Sequence, residues 1–169
     1  MELKLAKLKD KNLILQFYKD GSEKLKSEDI DQWQGKKMPN LNNFSSLLQN
    51  QELFILEDNL DIVGTVTIKK SDFDYENNMN GQWLTDDAYI AIHRVATGKK
   101  YRKKGYGRNI LELCEDYARK NNIFSVRIDT HRNNKSMQSL IQKLGYTYCG
   151  IVYINGTDER FAYEKVLEV

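Results

Sequence analysis

One octapeptide with two glycines a residue apart, Tyr101-Arg102-Lys103-Lys104-Gly105-Tyr106-Gly107-Arg108, is where this chain most directly suggests chemistry. It carries the basic side chains of Arg102, Lys103, Lys104 and Arg108, and it sits between a β-rich run ending near Thr97 and a helical pattern holding Ile110 and Leu111. A helix start leaves backbone N–H groups without intrahelical partners, and together with the helix dipole they form a site for a phosphate-like anion. Glycine lets the backbone approach such an anion and take left-handed conformations, and the cations add local positive charge. Gly-x-Gly alone describes an exposed basic turn equally well. The loop lacks the Gly-Lys-Ser/Thr ending of a P-loop and the third glycine of the dinucleotide fingerprint, so neither of those sites is expected.

Such a loop needs a strand to deliver the chain and a helix to receive it. Residues 88–97 are β-rich, and over residues 108–121 Ile110, Leu111, Cys114, Tyr117 and Ala118 form a stripe that predicts a core-facing helix. Upstream, Leu3, Leu5 and Leu8 make a short half-alternating run, and Asp10 is placed to cap a helix carrying Leu13, Ile14, Phe17 and Leu25. Residues 27–40, with Glu28, Asp29, Asp31, Trp33 and the only proline, Pro39, read as a loop. Leu41, Phe44, Leu47 and Leu48 recur at helical spacing, and residues 53–57 and 62–69 flank Asp58-Asn59 as a hairpin. Residues 71–87, rich in Asn, Asp and Gly, read as a mobile excursion. Downstream come a strand at 124–130, a helical stripe of Met137, Leu140, Ile141 and Leu144 ended by Gly145, and a hairpin of residues 146–154 and 160–166 around Asn155-Gly156. The order, a βα start, a hairpin, then β-α-β-α-β-β, favours a mixed α/β sheet with helices on both faces.

At 169 residues the chain has the length of one domain, 1–169, able to bury a core without staples. Its 26 basic and 24 acidic residues nearly balance, so there is no global field to draw nucleic acid or a membrane surface, and any anion site must be local. The basic cluster at 99–108 stands without a second basic helix or an aromatic platform, and neither nucleic acid nor membrane is expected as a partner. Cys114 and Cys149 fit neither zinc-ligand spacing nor a disulfide framework and read as reduced core thiols. No metal is expected. There is no apolar run near the ~18 residues needed to span a bilayer, nor a signal core behind Met1-Glu2-Leu3-Lys4, so a soluble cytoplasmic protein is expected.

The spacing Arg102-x-x-Gly105-x-Gly107 is similar to the Arg/Gln-x-x-Gly-x-Gly/Ala signature of the GNAT acetyltransferase superfamily. Ala91-Ile92-His93-Arg94-Val95-Ala96-Thr97 resembles that family's fourth strand and Ile128-Asp129-Thr130 its fifth. Asn134-x-x-Met137-x-x-Leu140-Ile141-x-Lys143-Leu144-Gly145-Tyr146 resembles its Asn-x-x-Ala-x-x-Leu-Tyr-x-Lys-x-Gly-Phe helix. The likeness covers residues 89–153; before them it is one of element order. It implies an α/β (α+β) GNAT-like domain with a mixed, mostly antiparallel sheet of six to seven strands, splayed between the fourth and fifth. It also implies acetyl-CoA as acyl donor, with the pantetheine arm in the splayed gap. By this resemblance the cofactor-binding residues are Val95, Ala96 and Thr97 on the strand, Arg102, Lys103, Lys104, Gly105, Tyr106, Gly107 and Arg108 at the pyrophosphate, and Asn134 near the middle of coenzyme A. Two positions depart from the pattern. Ile141 stands where a tyrosine often protonates the leaving thiolate, and Lys99 stands where a proline is common, a change expected to be neutral.

Amide formation from a thioester requires a neutral amine, stabilisation of a developing oxyanion and a proton for the thiolate. A lysine-like amine has a reference pKa of ~10.4, so its reactive form is scarce at neutral pH by on the order of a thousandfold without a base or desolvation. The resemblance gives the oxyanion to a strand N–H at Val95. Tyr89, Ala91, His93, Val95 and Thr97 share a strand face, and His93 is the candidate catalytic base or water relay, as in some members of the family; the alternative is a packed, hydrogen-bonded core histidine. His131 reads as a loop residue, and neither Tyr148 nor Tyr153 is singled out as the acid. Glu28, Asp29 and Asp31 with Trp33 occupy the loop that walls the acceptor site in this family, although a solvated loop with Trp33 on the core explains them as well. The expected function is therefore acetyl transfer to a primary amine of a small molecule. A protein terminus or lysine as acceptor, and an acyl-CoA-binding domain with impaired catalysis, are the alternatives. The oligomeric state, monomer or homodimer, is left open.

Overall fold

Of the helical stripe Leu13, Ile14, Phe17 and Leu25, α1 (Lys11–Ser27) buries Ile14 and Phe17, together with Tyr18, whereas Leu25 is half-buried and Leu13 is exposed. In the computed structural model, which describes all residues Met1–Val169, the chain divides into two units. The first comprises residues 1–68 and 94–113, the second residues 69–93 and 114–169. The first unit holds β1 (Glu2–Leu5), α1, α2 (Phe44–Gln49), β2 (Leu53–Asp58) and nearly all of β3 (Asp61–Lys69). Its core gathers Ile14, Phe17 and Tyr18 of α1 with Phe44 and Leu47 of α2 and Leu53 and Ile55 of β2. The β2–β3 turn has positive φ at Asn59 (50°) and Leu60 (71°), the two central positions that a type I′ hairpin requires.

Three expectations about this unit change in detail. Leu8 lies beyond β1, in a short 3-10 turn (Leu8–Asp10), and is exposed. Asp10 does precede α1, but its carboxylate accepts a hydrogen bond from the Lys7 amide (2.8 Å) rather than from the helix. In the 27–40 loop Glu28, Asp29 and Asp31 are exposed, while Trp33 stands edge-on to Tyr18 (6.0 Å between centroids) and its carbonyl accepts from the Ser22 hydroxyl. Trp33 also lies so close to Gly21 that a Cβ there would come within 2.8 Å of its ring. Trp33 is thus a core anchor.

The second unit holds α3 (Phe73–Asn77), β4 (Met79–Gly81), β6 (Ser125–Thr130), α5 (Lys135–Lys143), β7 (Thr147–Ile154) and β8 (Asp158–Val166). Two elements change unit along their length: β5 (Tyr89–Thr97) between His93 and Arg94, and α4 (Tyr106–Lys120) between Leu113 and Cys114. The strand order is β1-β2-β3-β5-β6-β8-β7-β4, so the sheet has eight strands instead of six or seven. β5 and β6 run parallel, whereas β1–β2, β2–β3, β6–β8, β7–β8 and β4–β7 are antiparallel.

The extra strand comes from the segment expected to be mobile. Residues 71–87 fold as α3, β4 and a tail because Tyr75 is buried and Trp83 half-buried among polar side chains, while Phe73 stays exposed. Tyr75 is 1% exposed, its carbonyl accepts from the Trp83 indole (2.8 Å), and β4 pairs with β7 from Met79↔Val152 to Gly81↔Gly150. The tail is pinned by a buried ion pair. Arg127 Nε donates to Glu164 (3.1 Å), Arg127 reaches the Thr85 carbonyl (2.6 Å), and Glu164 accepts from the Ser125 hydroxyl and the Leu84 amide, each at 2.5 Å. The Arg127 guanidinium lies over the rings of Trp83 (4.4 Å) and Tyr89 (4.1 Å). Removing one member of a fully buried pair leaves the other uncompensated, so Glu164→Ala should cost about 3–5 kcal/mol, read as a lowered urea midpoint. Glu164→Gln should cost less, since an amide oxygen still accepts from Ser125.

Cys114 is buried as expected, and burial pushes its thiol well above the usual range. Cys149 is only half-buried, because the β7–β8 register shifts between Tyr148 and Gly150 and leaves Cys149 at the irregularity. No helix is long and apolar enough to cross a membrane.

Candidate functional site

The glycine loop belongs to the first unit. α4 begins at Tyr106, two residues earlier than the sequence pattern indicates, so Gly107 lies within its first turn. Asn109 donates to the Gly105 carbonyl (3.1 Å), which makes the amides of Tyr106, Gly107 and Arg108 members of the unpaired first turn. Left-handed backbone falls at Lys103 (φ 60°) and Gly105 (φ 79°), not at Gly107. The glycines therefore act differently: Gly105 turns the chain into the helix, and Gly107 removes a side chain from the helix start.

The cations of the loop are also sorted. Lys103 and Lys104 are exposed, Arg108 pairs with Glu112 (3.1 Å), and Arg102 turns inward to the Asp20 carbonyl on α1 (2.5 Å). Asp20 also accepts from the Lys99 amide (2.9 Å), and the Tyr106 hydroxyl donates to Asp58 at the end of β2 (2.7 Å). Sequence reading missed Asp20 and Asp58 as braces of the loop. A cavity of about 800 Å³ opens beside the loop's start, lined by Leu13, Phe17, Leu60, Ile62, Lys99 and Tyr101 among others. Its lining on this side is Gly98, Lys99, Lys100 and Tyr101 and includes none of residues 103–108.

The ladder between β5 and β6 runs from Tyr89↔Ser125 to Ile92↔Ile128 and ends there. Two residues on, Arg94 has φ 55°, an uncommon conformation for a non-glycine residue within a strand and one that marks stored strain. Its guanidinium donates to the Asn40 carbonyl (2.9 Å) and lies over the Tyr18 ring. Val95 and Thr97 are half-buried and Ala96 is buried.

The sequence model of the acetyltransferase (GNAT) family matches residues 16–146 of this chain. The chain belongs to this family. Curated protein sequences gave no match. Among solved structures, a GNAT-family acetyltransferase from Streptococcus agalactiae is similar at 26% identity, with a TM-score of 0.87, covering 99% of this chain and 96% of that one. One from Listeria monocytogenes shares 18% identity with a TM-score of 0.79 over 98% and 94% of the two chains. Another similar structure is yncA of Salmonella typhimurium with its cofactor acetyl-CoA, at 15% identity, TM-score 0.68, covering 100% of this chain and 95% of that one. The mixed, mostly antiparallel GNAT fold is thus established, and the family is one of acetyltransferases.

In this GNAT chain the second unit holds both histidines. His93 is half-buried at the point where β5 leaves the ladder with β6, and its Nε2 lies 2.6 Å from Asp72 Oδ2. Its Nδ1 is 3.9 Å from Asp129 Oδ2, which accepts from the Tyr75 hydroxyl (2.5 Å), and the Tyr75 ring centroid is 5.4 Å from the imidazole. Burial pushes the Asp129 carboxyl up, against the pull of His93, Tyr75 and Arg160. Burial acts the same way on Asp72, but the His93 hydrogen bond and charge, the Tyr75 amide and Lys69 outweigh it and hold that carboxyl below its usual value. His131 lies in the turn after β6 and its Nδ1 accepts from the Asn133 amide (3.1 Å). Asn134 caps α5, accepting from the Met137 amide (3.2 Å), and Ile141 is fully buried. Asp72 and Tyr75 went unnoticed in the sequence because they lie in the excursion read as mobile. A usable signal existed in β6: Ser125, Arg127 and Asp129 alternate on one face of a buried strand, which demands polar partners opposite.

Proposed function

We propose that the chain, acting as one domain, transfers an acetyl group from acetyl-CoA to a primary amine of a small molecule by direct attack in a ternary complex. The observation that carries this reading is the His93 imidazole held by Asp72 at 2.6 Å in a chain of the GNAT family. The amides of Lys103, Lys104, Gly105, Tyr106, Gly107 and Arg108 hold the pyrophosphate, with Lys103 and Lys104 supplying charge. Arg102 serves by bracing the loop against Asp20. Backbone groups of Val95, Ala96 and Thr97 pair with the pantetheine arm, the Val95 N–H takes the oxyanion, and Asn134 contacts the cofactor while capping α5. His93 takes the proton of the amine. The carboxylate at Asp129 suits a cationic acceptor, and a side chain only 21% exposed at His93 favours a compact one.

Thiol release from acetyl-CoA should depend on an added amine when a panel of small primary amines is tested. Coenzyme A should also raise the melting temperature, because a ligand at about 100 times its Kd stabilises the native state by roughly 2.7 kcal/mol. A melting curve unmoved by millimolar coenzyme A would overturn the cofactor assignment. A shift without thiol release from any amine would identify instead an acyl-CoA-binding domain without transfer, a reading that the buried Ile141 at the usual position of the acid would then explain.

A further inference from the structure

The base assigned to His93 needs one nitrogen free and one nitrogen fixed, and the second unit shows how this is arranged. Asp72 is the residue before α3, and its two carboxylate oxygens are divided between tasks: Oδ1 accepts from the Tyr75 amide (3.0 Å) as the helix cap, and Oδ2 meets His93 Nε2 at 2.6 Å. Its main chain is held too, since the Asp72 amide donates to the Tyr89 hydroxyl (2.7 Å), which donates in turn to Glu76 (2.8 Å). An ionised carboxylate only accepts hydrogen bonds, so Nε2 must carry the proton and the lone pair of the neutral ring lies on Nδ1.

We propose that Asp72 is the positioning residue of the reaction: it locks His93 in the Nε2–H tautomer, so that Nδ1 is the nitrogen that takes the proton from the acceptor amine. This rests on the reading of His93 as the base. Nδ1 has Asp129 Oδ2 at 3.9 Å, beyond hydrogen-bond reach, so an amine brought there meets a carboxylate as well as a proton acceptor. As the amine nitrogen bonds to the thioester carbon, its N–H bond breaks and an Nδ1–H bond forms. The ring becomes an imidazolium, its charge opposed by Asp72. The carbon–sulfur bond breaks with its electron pair on sulfur, and the Nδ1 proton returns to solvent. The charged and titratable groups around this centre are Asp72 and Tyr75 at α3 and Asp129 on β6, with Lys69 of β3 acting on Asp72 and Arg160 of β8 on Asp129.

Asp72→Asn tests this directly, because Asn caps a helix as well as Asp does and preserves the shape of the site, yet its amide can donate to Nε2. The expected result is a fall in kcat of ~10²-fold or more with the KM values for amine and acetyl-CoA changed by no more than about twofold. In ¹⁵N NMR of the full chain, the His93 ring should lose its uniform Nε2–H signature. Asp72→Ala should show the same kcat loss with a lowered melting temperature, because it also removes the cap. Asp72→Asn with unchanged kcat and an unchanged Nε2–H signature would overturn the proposal. The parent reading fails separately: if His93→Ala retains full activity while Asp72→Asn alters the His93 tautomer, the contact is real but has no part in the reaction.

Discussion

His93→Ala should lower turnover with a suitable primary amine by ~10²-fold or more while leaving acetyl-CoA affinity nearly intact. The imidazole contacts Asp72 and stands 3.9 Å from Asp129, whereas the proposed cofactor contacts are backbone groups and loop cations elsewhere in the chain. Loss of a base acts on the rate of proton removal, and its weight depends on how much free amine is already present. With an amine of reference pKa ~10.4, each rise of one pH unit below that value supplies about tenfold more neutral nucleophile, so the deficit of the variant should shrink as pH rises. A packing role predicts the reverse pattern: a lower melting temperature and near-normal turnover per folded molecule at every pH. The pH–rate profile and melting curve of the one variant decide the matter, and full activity at neutral pH would remove His93 from the mechanism.

Gly107→Val should weaken coenzyme A binding by roughly 10- to 150-fold, the equivalent of losing about one charge-assisted hydrogen bond of 1.5–3 kcal/mol. The expected selectivity comes from where Gly107 sits. It lies in the first turn of α4 and has no positive φ, so valine can adopt the backbone there at a propensity cost of no more than about 1 kcal/mol relative to other residues. The fold should survive while the branched side chain stands over the first-turn amides that a phosphate would approach. Calorimetric titration with coenzyme A measures the loss directly. A folded variant with unchanged affinity would show that the pyrophosphate lies elsewhere. Gly105→Val is a poorer probe, since φ at Gly105 is 79° and the substitution strains the loop whatever the ligand does.

Sequence pattern was a good guide wherever one periodicity ran unbroken. The stripes of α1 and α4, the first hairpin and the closing hairpin at Asn155-Gly156 all appear, because burial period and turn chemistry agreed there, although Leu13 is exposed and the first turn is centred on Asn59-Leu60 instead of Asp58-Asn59. It failed over residues 71–87, whose polar composition hid Tyr75 and Trp83, and with them Asp72 and the strand that makes the sheet eight. Composition counts side chains, whereas order there comes from a few aromatics and a buried Arg127–Glu164 pair contributed by distant strands. The same limit applies to the candidate site. His93 and the glycine loop stand out by residue type, but the partner of His93 is 21 residues away in sequence, and the braces of the loop are 48 residues away at Asp58 and 79 or more at Asp20.

That brace changes how the loop meets a ligand. One aspartate, Asp20, holds the chain at both the Lys99 amide and the Arg102 guanidinium, so the segment leading into the glycines is already ordered before any anion arrives. Each rotamer-rich side chain that must be immobilised on association costs about 0.5–1.5 kcal/mol, and for Arg102 that cost has been met during folding. A negative residue beside the proposed anion site opposes binding by its charge, but here it trades a little Coulomb attraction for rigidity. If the loop holds the pyrophosphate as proposed, its binding strength is governed as much by the entropy of the free protein as by the charge it displays.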